Sequence, residues 1–194
     1  MQRTSDPFYG KRCVLRPIRD EDLPHLNEML RESDFATAAY LYVRSPDRTA
    51  ETHIRELFIH SEASRLTLGI RTHDDVFAGF HDVELVDYER HRVCAPGLFL
   101  RRGYRDQGYG IDARILMADF MFRELNAHRL VGATWAENAR SLRQYKKIGA
   151  VACGRLRDAV FFNGAHRDLI PWSLSSEQFY AAAGNYLTEL RGSE

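Results

Sequence analysis

Arg105-Asp106-Gln107-Gly108-Tyr109-Gly110, leading directly into Ile111-Asp112-Ala113-Arg114-Ile115, decides the fold of this 194-residue chain. From Gly110 to Asn126, apolar residues recur at Ile111, Ile115, Ala118, Phe122 and Leu125, the spacing of one face of an α-helix. Two glycines, two residues apart where that helix begins, let a ligand approach the backbone closely. The first amides of a helix lack intrahelical partners, and with the helix dipole they attract an anion. Arg101, Arg102 and Arg105 add cations on the same turn. A phosphate or pyrophosphate suits such a turn. The plainer alternative is an ordinary glycine-bearing helix start with a solvated basic loop.

Two common phosphate loops do not fit. A P-loop ends in Gly-Lys-Ser/Thr, whereas Ile111-Asp112 follows Gly110. The dinucleotide fingerprint tolerates Ala113 at its third glycine position, but it belongs to a first βαβ unit with an acidic residue closing the next strand. Gly108 comes late in the chain, and Glu137 follows too far on.

Outward from this segment, Arg12 to Ile18 alternates as a strand ending near Pro17. Asp20 to Leu30 reads as a helix with Asp20 as N-cap and Pro24 in the first turn. Ala50 to Ala63 reads as a second helix. Arg65 to Arg71 and Val76 to Leu85 form strands around the polar turn His73-Asp74-Asp75, and Gly97 to Arg101 forms a short strand. Arg129 to Trp135 is a buried-type strand, and Asn138 to Ile148 a helix closed by Gly149. Val151 to Phe162 and His166 to Leu174 flank Asn163-Gly164, a two-residue hairpin turn. The order β-α-α-β-β-β-α-β-α-β-β implies an α/β or α+β layer structure. Residues 1–174 read as one domain. Residues 175–194 form a tail in which Phe179, Tyr180, Tyr186, Leu187 and Leu190 are spaced for a short helix, packed on its own domain or on a second subunit.

Composition narrows the function. Apolar residues are 44 % and charged residues 28 %, so the chain can build a core. Lys plus Arg and Asp plus Glu are both 27, and this balance argues against a nucleic-acid binder. No apolar run is long enough to span a membrane. Cys13, Cys94 and Cys153 show no metal-ligand spacing, and no histidines pair as H-x-x-x-H, so no metal site is expected. A reduced, cytoplasmic setting follows.

The pattern R-x-x-G-x-G, placed between a short strand and a long helix, resembles motif A of the GNAT acetyltransferase superfamily. Glu137-Asn138-Ala139-Arg140-Ser141 followed by Tyr145-Lys146-Lys147-Ile148-Gly149-Ala150 is similar to the same family's E-N-x-x-S and K-x-G-F segments. Gly154-Arg155-Leu156-Arg157-Asp158, Phe162-Asn163-Gly164 and Arg167-Asp168 resemble its ribosomal-protein N-terminal and spermidine acetyltransferase branch. The resemblance implies a central mixed, mostly antiparallel sheet with splayed parallel strands, flanked by helices. It implies acetyl-CoA as donor, with no metal. It further implies pyrophosphate on the segment Arg105, Gln107, Gly108, Tyr109 and Gly110, and a pantetheine arm along Leu98, Leu100 and Arg101. Asn138 and Ser141 would lie beside that arm, and Tyr145 matches a position where many members carry a general acid. The partner would be a small-molecule or peptide amine, with the protein acting as monomer or homodimer.

Helix geometry agrees with part of this. At about 100° per residue, Asn138 and Tyr145 lie only about 20° apart, Ser141 lies about 60° from Asn138, and Lys147 points to the solvent side. Tyr145 could equally be a packing residue and Asn138 a helix cap. Aminolysis of a thioester needs a neutral amine, a proton for the leaving thiolate and polarisation of the carbonyl; Tyr145 and a strand amide near Leu98 could supply the last two. The base is less determined. Ala95 stands where relatives carry an acid, which leaves His81, Asp82 and Glu84 on the preceding strand, with Glu84 the candidate. Acceptor choice is expected from Asp34 to Asp47, including Tyr40 and Tyr42. A non-catalytic acyl-CoA-binding module is the alternative to an enzyme.

Overall fold

The computed structural model describes residues 6–31, 65–85, 93–162 and 164–192. The helix expected at 50–63 and the tyrosines at 40 and 42 lie outside them. In chain order the elements are β1 (Val14–Pro17), α1 (Leu23–Arg31), β2 (Arg65–Arg71), β3 (Phe77–Glu84), β4 (Val93–Leu100), α2 (Tyr109–Arg123), β5 (Arg129–Trp135), α3 (Ala139–Lys147), β6 (Val151–Ala152), β7 (Leu156–Phe162), β8 (Ala165–Ser175) and α4 (Ser176–Arg191).

The strands form one mixed sheet in the order β1-β2-β3-β4-β5-β8-β6, with β7 also on β8. Among the described strands, only β4 and β5 run parallel. They pair at Val93–Arg129 and Cys94–Leu130 and then part. On its other side β5 pairs with β8 along its whole length, from Arg129–Ser175 to Trp135–Leu169.

Several boundaries differ from the sequence expectation, each for a physical reason. A 3-10 turn, Asp20–Asp22, precedes α1. Its cap is Arg19, whose amide donates to the carboxylate of the buried Asp22, so Asp20 is not the N-cap. The strand expected from Gly97 begins at Val93, because Pro96 costs the β3 ladder nothing. Its carbonyl turns the other way and accepts from Tyr145, so the missing N–H also falls on the side away from β3. The stretch from Val151 to Phe162 is two strands, broken at 153–155. Phe162 pairs with Ala165.

α2 is buried almost all round, including Asp112, Arg114 and Asp119. It is thus a central helix and not a surface one with a single apolar stripe. It ends at Arg123, three residues before the expected Asn126. The Asp112 carboxylate accepts the amides of Arg12 (2.6 Å) and Cys13 (2.9 Å) and the hydroxyl of Tyr186. Asp119 accepts from Tyr180 (3.2 Å) and Arg191. These partners satisfy charges that would otherwise be costly to bury. Ser175 and Gln178 form a capping box that starts α4, which buries Phe179, Ala183 and Leu187. The Phe179 ring lies 5.6 Å from that of Phe122, and its full burial stabilises by about 2–3 kcal/mol.

Candidate active site

Where β4 leaves β5, an open cleft of about 830 Å³ runs from the start of α2 to the face of α3. One wall is Pro96 to Leu100, and the other is Ala133 to Trp135 with Asn138, Ser141, Gln144 and Tyr145. Pro96 directs its carbonyl into the gap, so strand alternation aims the amide and carbonyl of Leu98 the same way. An extended ligand with amide groups finds an unpaired strand edge there.

At the mouth, Asp106 (φ 59°) and Gly108 (φ 91°) are both left-handed. Positive φ at both positions curls the loop just before the N-terminus of α2, a backbone form in which amides can converge on an anion. Gly108 is its N-cap and contributes no side chain. Arg105 lines the cleft, its Nε donating to the Leu100 carbonyl at 2.9 Å. Arg140 of α3 reaches back to Asp106 at 2.8 Å. The cation cluster expected on this turn is therefore reduced. Arg101 turns toward the Phe77 carbonyl (3.0 Å) and Glu28 (3.4 Å), and Arg102 lies outside the lining.

Tyr145 is held on three sides. Its ring stacks on Trp172 at 3.9 Å between centroids, the Arg114 guanidinium lies over it at 4.1 Å, and its hydroxyl donates to Pro96 at 3.3 Å. Packing and a poised hydroxyl coexist in one residue. Asn138 caps α3 by accepting from the Ser141 amide at 3.0 Å and also lines the cleft.

Of the residues expected from sequence, Leu98, Leu100, Arg105, Gly108, Gly110, Asn138, Ser141 and Tyr145 line this cleft. Arg101, Gln107, Tyr109 and Glu84 do not. Glu84 is exposed at the end of β3, opposite Ala95. His81 is buried, and burial with the nearby Arg114 charge pushes its pKa down to about 3. It is a neutral ring behind Tyr145, where both line a small cavity. Burial raises the Asp82 carboxyl above its usual range, against the pull of Arg65 at 3.3 Å. Lys147, expected to face solvent, is exposed on the cleft rim.

Among the lining residues that had escaped the sequence reading are Arg114 and Gln144. Arg114 donates from Nε to Gln144 at 2.9 Å, and Gln144 sits against Gly110. Arg114 stands four residues after Gly110, on the same helix face, and that spacing was the available signal.

The family model of the acetyltransferase (GNAT) domain matches residues 12–151. The chain belongs to the GNAT family of acetyltransferases, enzymes that take the acetyl group from acetyl-CoA. It is 25 % identical over 169 residues to the spermidine N(1)-acetyltransferase of Escherichia coli (strain K12), covering 86 % of this chain and 88 % of that one. It is 29 % identical over 181 residues to the SPbeta prophage-derived uncharacterized N-acetyltransferase YokL of Bacillus subtilis (strain 168), covering 88 % and 93 %. Its fold matches spermidine N-acetyltransferase from Vibrio cholerae, solved with CoA and spermine, at a TM-score of 0.74. That likeness spans 86 % of this chain and 97 % of the other at 16 % identity.

Proposed function

We propose that this enzyme acetylates a primary amine by direct attack within a ternary complex. The acceptor would be a polyamine, another small amine or a peptide N-terminus. The observation that carries this is the parted strand pair at Pro96 with the Tyr145 hydroxyl inside the gap. The named activity of the E. coli relative supports the polyamine arm.

Acetyl-CoA, when bound, supplies an acyl thioester. The curled loop and the first amides of α2 would hold its pyrophosphate, and Leu98 would pair with the amides of its arm. Tyr145 holds a proton at Oη, shared with the Pro96 carbonyl, and would give it to the departing sulfur. His81, neutral and enclosed, leaves the proton of the incoming ammonium to be taken elsewhere. Glu84, next to the Pro96 position in the strand register, is the candidate that accepts it through water. Holding amine and thioester together would contribute much of the acceleration.

No described helix is long and apolar enough to cross a membrane. With its free cysteines, the chain is proposed to work in the cytoplasm, on an amine and not on nucleic acid, as a monomer or homodimer. The test is release of free thiol from acetyl-CoA with spermidine, spermine, short peptides and simple alkylamines. Acetylation of at least one amine is the expected result. CoA binding without thiol release across the panel would replace the enzyme by an acyl-CoA-binding module, a reading that Ala95 favours.

A further inference from the structure

The segment before β1 is tied to the helix that opens the donor cleft. The Asp112 carboxylate, one turn into α2, accepts the backbone amides of Lys11, Arg12 and Cys13 at 3.3, 2.6 and 2.9 Å. Residues about a hundred positions away are thereby set beside the loop containing Gly108. The Arg12 side chain lies across that glycine. A Cβ on Gly108 would stand 3.6 Å from Arg12 Cγ and 3.8 Å from its Nε. The Arg12 side chain therefore runs beside Gly108 at the mouth, although Arg12 is not among the residues that line the cleft itself.

Several cations around the loop are already paired, whereas Arg12, like Arg143 and Lys147 of the cleft lining, has no ion pair among the described residues. Lys11 is paired with Glu189, Arg16 with Asp6, Arg101 with Glu28 and Arg140 with Asp106. Among the described residues, the exposed Arg12 has no ion pair, although its backbone is fixed. A guanidinium fixed at its root, with free donors beside an amide concavity, matches a phosphate group's geometry and charge.

We propose that Arg12 is a donor-binding residue, contacting the pyrophosphate of acetyl-CoA from outside the R-x-x-G-x-G segment. This rests on the donor-site reading above and adds a residue from a distant part of the chain. The main chain supplies the concavity and Arg12 supplies the charge, which the turned-away Arg101 does not deliver.

The test is calorimetric titration of the full chain with CoA, which needs no acceptor amine. Arg12→Gln is expected to weaken CoA about tenfold, and Arg12→Lys, which keeps the charge, to stay within about threefold of wild type. The difference between wild type and Arg12→Gln should shrink when NaCl is raised. A melting temperature within about 2 °C of wild type would show the fold intact, since the exposed side chain bears no packing load. Equal CoA affinity in Arg12→Gln and wild type would overturn the proposal while leaving the donor site standing. Equal loss in both variants would overturn the role of charge. A wild-type chain that fails to bind CoA would overturn the donor-site reading itself.

Discussion

β5 has two different edges. Along one, all its residues pair with β8, and the Trp172 indole packs closely against Gly132. Along the other, pairing with β4 stops after Cys94, and Pro96 has no N–H with which to continue it. A single strand thus serves as both a closed seam and the wall of a cleft. Sheet hydrogen bonds are local enough that one imino acid can open a ladder on one side while the opposite side stays intact.

The closed edge should show the largest effect when broken. A Cβ at Gly132 would stand 2.5 Å from Trp172 Cζ2 and 2.8 Å from Cε2. Gly132→Val should destabilise by about 3 kcal/mol, lowering Tm by roughly 10 °C in a thermal melt. A shift under about 2 °C would mean that the seam yields easily.

The open edge should respond in rate and not in stability. Tyr145→Phe keeps the ring on Trp172 and removes the hydroxyl from Pro96. The expected result is a fall in kcat of roughly 10²-fold with little change in donor affinity. Steady-state kinetics at saturating substrates would read this, and a fully active variant would leave Tyr145 as packing alone.

At the mouth of the same edge, Gly108→Val would place a β-branched residue at φ 91°. CoA affinity should drop by about tenfold or more, with secondary structure retained by circular dichroism. Unchanged affinity in a folded variant would move the phosphates elsewhere.

A further effect, read as pH dependence, lies behind the cleft at His81. The unfolded chain takes up this proton below its ordinary value of about 6.5, and the folded chain does so only near about 3. The native state therefore keeps this contribution in full above pH ~6.5. It loses it as pH falls toward ~3, at about 1.4 kcal/mol per pH unit. Urea titrations from pH 7 to 4.5 should show a shallower acid decline in His81→Gln than in wild type. Parallel declines would remove His81 from the acid limb.

What the sequence made legible was local. The glycine pair, the helix it opens, the Asn138 cap and the shared face of Asn138, Ser141 and Tyr145 all follow from short spacings. Long-range partners were not legible. Asp112 and Asp119 look like surface acids until residues 12–13 and 180–191 arrive to satisfy them. The start of β4 was obscured because Pro96 normally argues against a strand, and only the neighbouring strands reveal which edge loses the amide. The side chain of Arg101 shows the same limit, since Glu28 and the Phe77 carbonyl hold it off the donor turn.

The clamps on α2 also impose an order on synthesis. Tyr186 meets Asp112, 74 residues earlier, and Arg191 meets Asp119, 72 residues earlier. At about 5–20 residues per second, the helix leaves the ribosome several seconds before its second set of partners. In that interval Asp119 lacks Tyr180 and Arg191, and Phe122 lacks the Phe179 ring. A nascent chain interrupted before α4 therefore exposes to water a helix face that the finished protein keeps covered.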